Sequence, residues 1–485
     1  MEKYFQKIVL RNYDFRVSNS FKKITILIFL LTAIFFKTFA QKVKLIEFGW
    51  DYPDITYLSD QLDSMQNTPF DGICFSFQRK IMEAFDDSLK SDSYFEFNKL
   101  QALKWGKYTN NFIILRGFSK TGGNWFNDKA WENISNNMVN LSRVMQMKNI
   151  KGILFDPEYY YENKFFNPWT FSAEQYPGKS FQQVQDQVKE RGKQFITSLQ
   201  KRSNSFNFIS LWVASLISNE KKYIPIYKTR HALLMSFFEG ILEGKNKNVI
   251  ITDGNEYAYW NTKPSQFLEG KSLLRNTMLE LLHSEKSKKE AEKIQIAQPV
   301  YYDGLMGTNT PIGNDLKRNI KWKWLTENLK YAIASSDLYM WFYSERNNWW
   351  NNTVNDTLLT TLQEAKALPT DRILRSENNS GFSFLKEIGY NNVNSQSGYY
   401  IDTTEITNEP AFNYVWNQKS KKIILNFRKE LPLSTFIYID NNLQKQIKPS
   451  GLKAEISVPD FSKGSLIVIN KYQNEMESSA IYILK

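Results

Sequence analysis

The stretch Lys151-Gly152-Ile153-Leu154-Phe155-Asp156-Pro157-Glu158-Tyr159 organises the reading of this chain. A short apolar run ends abruptly in two carboxyls that flank a proline. A continuous apolar run of that length suits a parallel strand covered on both faces. Polar groups at such an end stand where parallel α/β folds place their chemistry.

Working outward, similar runs recur on both sides. Eight strand candidates follow in order: Val43–Trp50, Gly72–Phe77, Phe112–Gly117, Gly152–Phe155, Phe208–Ala214, Val249–Thr252, Gln295–Tyr302 and Leu338–Tyr343. Helical spacing fills gaps between them, at Ile55–Met65, Phe181–Leu199, Leu233–Leu242, Leu273–Leu282 and Leu316–Ala334, with Leu358–Ala367 as the last. Eight strand–helix pairs predict a (β/α)8 TIM barrel over 41–370. An open doubly wound sheet is the competing fold, but no Gly-rich phosphate loop follows the first run. From 371 to 485 helical periodicity disappears. Lys422–Phe427, Ser434–Ile439, Ala454–Val458 and Ser465–Ile469 alternate as strands, which predicts a small C-terminal β-sandwich.

Residues 1–40 read as an export signal. Lys22 and Lys23 precede an apolar run from Ile24 to Phe36, and Thr38-Phe39-Ala40 offers small residues before Gln41. The run is short for a membrane span, so no stable span is expected after cleavage, and a secreted or periplasmic chain follows. An uncleaved single-pass anchor is the alternative. The formal charge is +12, of which residues 1–40 carry +5, leaving the mature chain near +7. No basic stripe with interleaved aromatics is present, so nucleic acid is not an expected partner. An acidic polysaccharide is permitted by this charge, not implied by it. Oligomeric state is not readable.

The two histidines, His231 and His283, lie in helical patterns, and the single cysteine, Cys74, lies in an apolar strand. A Ser-His-Asp triad, a zinc site and thiol catalysis are therefore hard to build. No calcium loop or cofactor motif is read, so the metal and cofactor sets are taken as empty. Carboxylates, Tyr and Arg remain. Aromatics make up 15% of the chain, so some rings are expected outside the core, where flat sugar faces pack well on them; the equal alternative is that they fill a large core.

At the strand ends, the catalytic candidates are Asp156 and Glu158 after the fourth strand and Asp253 and Glu256 after the sixth. Residues i and i+2 of an extended end point the same way, so Asp156 and Glu158 are expected to share the barrel mouth. Close carboxyls push their pKa values apart, which suits one acid and one base. Asp253-Gly254-Asn255 reads equally as a structural turn. The substrate-binding candidates are Glu47, Trp50 and Asp51 (first strand), Arg116 (third), Tyr159 (fourth), Trp212 (fifth), Trp260 (sixth), Tyr302 and Asp303 (seventh), and Trp341 and Glu345 (eighth). Arg116 reads as a substrate-anion contact or, preferably, as a partner of a barrel acid. Trp169 and Trp349-Trp350 are loop tryptophans that a fold either buries or uses.

The nine-residue stretch resembles the fourth-strand motif of chitinase-like barrel glycosidases, Asp-Gly-x-Asp-x-Asp-x-Glu. Gly152, Asp156 and Glu158 match it, Tyr159 follows as is common there, and Lys151 and Leu154 replace its first two acids. The resemblance implies Glu158 as general acid and Asp156 as its helper. A second resemblance, to retaining α-galactosidase-type barrels, implies Asp156 as nucleophile and Asp253 as acid/base. More broadly the chain looks like secreted barrel proteins of polysaccharide-degrading bacteria. The expected function is an exported glycoside hydrolase acting on a poly- or oligosaccharide. A non-catalytic glycan-binding barrel is the alternative, and a Tyr/Arg lyase a third reading.

Overall fold

A computed structural model describes residues 43–261 apart from 79, 121–122, 162–165 and 221–224, then 267, 274, 278 and 280–306, 318–350 and 354–367. Beyond these it describes 373–375, 412–417, 422–427, 431–439, 442–457, 464–471 and 476–483. The signal segment at 1–40 and half of the residues of the helix expected at Leu273–Leu282 lie outside the described residues.

All eight expected strands form. They are β1 (Lys44–Gly49), β2 (Gly72–Phe75), β3 (Asn111–Arg116), β4 (Ile150–Asp156), β5 (Phe206–Ser210), β6 (Val249–Asp253), β7 in two segments (Gln295–Ile296 and Pro299–Tyr301) and β8 (Tyr339–Ser344). Every neighbouring pair in the ring is parallel. The path runs from the first segment of β7 through β6, β5, β4, β3, β2, β1 and β8 to the second segment of β7. The two edges of this sheet are therefore halves of one strand, and the curled sheet closes into an α/β barrel. Ala297 and Gln298 join the halves: the Ala297 N–H donates to Asp253 O and the Trp341 N–H to Gln298 O. A short additional strand, Met82–Glu83, runs parallel to the end of β3.

Register assigns the two faces, because residues paired in register point the same way and alternate along each strand. Phe112, Asn207 and Tyr339 point inward: Asn207 Nδ2 lies 3.3 Å from the Tyr339 hydroxyl, and the Phe112 and Tyr339 rings meet at 5.0 Å. Counting by twos, Phe48, Arg116, Asp156, Thr252, Tyr301, Trp341 and Tyr343 also face the interior. Glu47, Phe155, Ser210, Asp253 and Phe342 face the helical layer.

The helices around the ring are α1 (Ile55–Gln61), α2 (Phe97–Ala102), α3 (Asp128–Val144), α4 (Phe181–Leu199), α5 (Leu234–Gly244), α6 (Glu285–Ala291), α7 (Arg318–Ser335) and α8 (Asp356–Ala367). Helix α4 matches its sequence expectation residue for residue. Ser180 caps it, and Gln183 returns the bond to the Ser180 N–H in a full capping box. Helices α2 and α3 supply units the apolar spacing did not single out. In α3 the buried stripe includes Asn137, whose side chain bonds backbone groups of the 86–90 loop.

Past the barrel, two antiparallel sheets contain all four strands expected there. One joins β9 (Ile373–Arg375), β16 (Met476–Ile483), β15 (Gly464–Lys471), β12 (Ser434–Ile439) and β13 (Asn442–Ile447). The other joins β10 (Phe412–Asn417), β11 (Lys422–Phe427) and β14 (Lys453–Ser457). Burial alternates along β11, with Ile423, Leu425 and Phe427 inside. No helix among the described residues is long and apolar enough to cross a membrane.

Helices α4 and α5 pack closely enough that only glycine fits at their crossing. A Cβ on Gly240 would lie 1.9 Å from the Lys189 carbonyl oxygen, and one on Gly192 2.1 Å from the Phe237 carbonyl oxygen. Both obstacles are backbone, so relief requires the helices to separate. Gly240→Ala gains roughly 1 kcal/mol of helix propensity but meets an overpacking cost of about 1–3 kcal/mol. Net destabilisation in urea unfolding is expected, and a stabilised variant would show the crossing to be looser than described.

Candidate active site

Strand β4 ends on Asp156, which faces the barrel interior and is 3% exposed. Its Oδ1 accepts the Glu158 N–H at 2.9 Å, and its Oδ2 accepts the Tyr160 hydroxyl at 2.9 Å. The chain leaving Asp156 is pinned by a tryptophan: Trp169 Nε1 donates to the Pro157 carbonyl at 2.7 Å. Trp169 is fully buried, so it holds the loop in place and offers no sugar platform. Burial pushes the Asp156 carboxyl up to about 7, helped by the nearby Glu158 charge; the two hydrogen bonds and the Arg116 cation act against this. Arg116 points to the same interior and lies over the Tyr160 ring at 5.1 Å. Its Nε is buried without a hydrogen-bond partner, and no ion pair joins it to a carboxyl among the described residues.

Asp253, at the end of β6, points the other way. It is fully buried in the outer layer and accepts the N–H groups of Val213, Ala214 and Asn255, with the Ser215 hydroxyl at 3.4 Å. Burial raises its carboxyl to about 6 against the pull of those N–H donors. A carboxylate so engaged is a turn-builder. Asn255 completes the turn in the left-handed region, at φ 46°, where Asn is tolerated. Its Nδ2 bonds Gln298 Oε1 at 2.9 Å.

The product of that turn is Glu256. Its N–H bonds Leu211 O at 3.0 Å. Its Oε2 is buried without a hydrogen-bond partner. Its carboxyl is raised well above the ordinary value, first by burial and then by the charges of Asp156 and Glu158, with a Tyr259 hydrogen bond opposing. Asp156, Glu158 and Glu256 thus interact across the mouth, while Asp253 holds one of them in place.

Tyrosines surround the three acids. Tyr259 stacks on Tyr343 at 5.3 Å and 11° and meets Tyr301 at 5.0 Å. Tyr343 donates to Glu345 Oε1 at 3.3 Å. Trp50, 69% exposed, is open to a ligand. Sequence reasoning named Trp50 and Glu345 as contacts but passed over Tyr160, Tyr301 and Tyr343 as such. Counting inward by twos from Trp341 would have found Tyr343.

The remaining candidates fall elsewhere. Glu47, on the outer face of β1, and Asp51, just past its end, form a buried carboxyl pair; both Glu47 oxygens and Asp51 Oδ1 are without a hydrogen-bond partner among the described residues. Burial, then the Asp51 charge, lifts Glu47 well above the ordinary range. Asp51 also accepts the Trp349 N–H at 2.8 Å, and Trp349 and Trp350 are buried beside the pair. Tyr302 stacks on Trp322 in the outer layer. Asp303 binds the Ser344 hydroxyl and the N–H groups of Glu345 and Arg346, which fixes the loop after β8. Trp341 is buried inside the barrel, its Nε1 shared between Gly254 O and Ala297 O. The Trp260 side chain lies outside the described residues.

Beside the acids opens a cavity of about 600 Å³ lined by Glu158, Tyr159, Asn167, Thr170, Trp212, Leu216, Arg230 and His231. Trp212 and His231 meet edge to face at 5.9 Å. Glu158, Tyr159 and Trp212 were legible as rim residues; Arg230 and His231 arrive from a connection with no strand-end signal. Among the described residues no cluster of three or more His, Cys, Asp or Glu side chains could hold a metal ion.

No family model matches the chain, and no curated protein does. Among solved structures it is similar to an endo-β-1,4-mannanase double mutant of Cellulomonas fimi, at 9% identity and a TM-score of 0.34, over 92% of this chain and 94% of that one. A glucosidase from Croceicoccus marinus gives 9% identity and a TM-score of 0.41, over 91% of each chain. A broad-specificity endoglucanase from Clostridium acetobutylicum gives 10% and 0.35, over 67% of this chain and 97% of that one.

Two measurements probe this geometry. An unfolded Asp titrates near 3.9, and Asp156 in the fold near 7. The fold therefore holds a proton that the unfolded chain has lost across that window. The stability tied to this proton is full below about pH 4 and lost as pH rises through 7, by at most about 1.4 kcal/mol per pH unit. The unfolding midpoint of Asp156→Asn relative to the parent should climb between pH 4 and 8; a flat difference would contradict the shift. Asp253→Ala strips four donors of their acceptor and should cost about 2–4 kcal/mol in chemical denaturation. A cost under about 0.5 kcal/mol would return Asp253 to the list of reacting groups.

Proposed function

We propose that this chain is an exported glycoside hydrolase working at the barrel mouth with Glu256 and Glu158. The observation that carries the reading is the convergence of Asp156, Glu158 and Glu256, two of them raised by burial and mutual repulsion. Paired carboxyls of unequal proton affinity are what glycosidic cleavage needs. Glu256, buried beside two negative charges, keeps its proton near neutrality and serves as the acid toward the leaving glycosidic oxygen. Glu158, open to the cavity, takes the second role, as base toward water or as nucleophile. Asp156 accepts the Glu158 N–H and the Tyr160 hydroxyl and positions both. This exchanges the roles implied by the chitinase-like resemblance, in which Glu158 is the acid. It also replaces Asp253 of the galactosidase-like reading with Glu256.

Trp50, exposed at the rim, and the half-buried Tyr343, backed by the buried Tyr259 ring, offer faces for sugar rings. The carbohydrate class of the substrate rests on these rings together with the acids. Export follows from the Lys22–Ala40 segment, with cleavage before Gln41. The two C-terminal antiparallel sheets are read as the small sandwich expected from the sequence.

Hydrolysis of a glycan panel by the chain from Gln41 onward tests the reading. Glu256→Gln and Glu158→Gln should each lower kcat by about 10²–10⁴-fold, with unfolding midpoints close to the parent. The parent's activity should fall at alkaline pH as Glu256 loses its proton. Full activity in either variant would sink the assignment, and a parent that binds glycans without cleaving any would favour a glycan-binding barrel.

A further inference from the structure

Glu158 lines a cavity whose opposite chemistry is basic. Arg230 and His231 contribute to its lining, two and three residues after Lys228. Among the described residues Arg230 makes no ion pair and no hydrogen bond. No ion pair joins it to the Glu158 carboxyl across the cavity. The polar atoms of the nearby loop are already engaged: Asn167 Oδ1 accepts the Trp169 N–H, and Thr170 Oγ1 bonds Asn167 O and Gln175 Oε1. The strongest uncommitted donor in the lining is therefore the Arg230 guanidinium. Bond cleavage by Glu256 and Glu158 makes no use of it.

We infer that this cavity is a subsite for a sugar ring bearing an anionic group, with Arg230 and His231 as its recognition pair. The inference rests on the glycoside hydrolase reading for the reaction next door, and on the cavity alone for the binding. A guanidinium matches the planar geometry of a carboxylate or sulfate with two parallel hydrogen bonds. The volume suits a small saccharide. Trp212, packed edge to face on His231, fixes the imidazole at the wall. Charge also orients the ligand. The Glu158 carboxylate at one end of the lining repels an anion, so the acidic substituent lies at the Arg230 end and the scissile bond at the Glu158 end. The substrate class is then an acidic oligosaccharide, uronate-bearing or sulfated, with the charged ring next to the ring whose bond breaks.

Calorimetric titration of the Glu256→Gln chain separates binding from turnover. Short oligouronates, sulfated oligosaccharides and their neutral counterparts are the probes. At least one acidic series should bind tenfold or more tighter than its neutral match, and whichever does so names the group. In Glu256→Gln/Arg230→Gln that preference should collapse to near parity, and Arg230→Lys should restore part of it. Parity in the Arg230-intact chain, or a preference that survives Arg230→Gln, overturns the subsite. Acidic preference without hydrolysis by the Glu256-intact chain leaves the subsite standing and removes the hydrolase reading. Hydrolysis of neutral glycans with no acidic preference does the reverse.

Discussion

The constraint on which everything else depends is the two-residue period of eight parallel strands closed into one ring. Once β7 bridges β6 and β8, each strand residue is committed to the interior or to the helical layer. Asp156 and Asp253 end their strands two positions apart in the ring and look equivalent in sequence. Register sends the first inward and the second outward, because Asp156 aligns with Arg116 and Asp253 with Ser210. One becomes part of a reactive cluster and the other a scaffold for a turn.

The inward cluster is costly to assemble. Three carboxyls share a site walled by Tyr160, Tyr259, Tyr301 and Tyr343, where little water screens their repulsion. Two of them respond by holding protons more tightly. The surrounding framework offsets the cost: Trp169 pegs the Pro157 loop, Asp303 ties the loop after β8, and Asp253 secures the Glu256 turn. A second strained pair, Glu47 and Asp51, lies on the outer side of β1 beneath Trp349 and shows that burial of acids here is not confined to the mouth.

The ring was legible because its strands are buried on both faces and so read as unbroken apolar runs, Phe112–Gly117 among them. Helix α3 escaped because its buried stripe includes Asn137 and Ser142, polar residues satisfied by neighbours that spacing cannot show. The mouth was legible only as far as strand ends go. Asp156, Glu158 and Glu256 were found there, but so were Glu47, Tyr302, Asp303 and Trp341, which structure assigns to the wall or the outer layer. Chain order marks a strand's end without marking its face. Trp169, Trp349 and Trp350 follow the same logic in loops: each indole fills a hole beneath its loop. Arg230 and His231 reach their cavity from a segment remote in sequence, which no local pattern announces.

The divided strand β7 carries a mechanical consequence. Its first segment holds β6 through Gln295 and Ile296, and its second holds β8 through three residues. Such a short junction is the natural seam of the ring, where transient local opening needs the fewest broken bonds. Gln298 sits in that seam, fully buried, gripping Asn255 through Oε1 and Phe267 O through Nε2. A breath at the seam would therefore loosen the Glu256 turn before any other part of the mouth, tying the proton-bearing carboxyl to the least secured joint of the barrel.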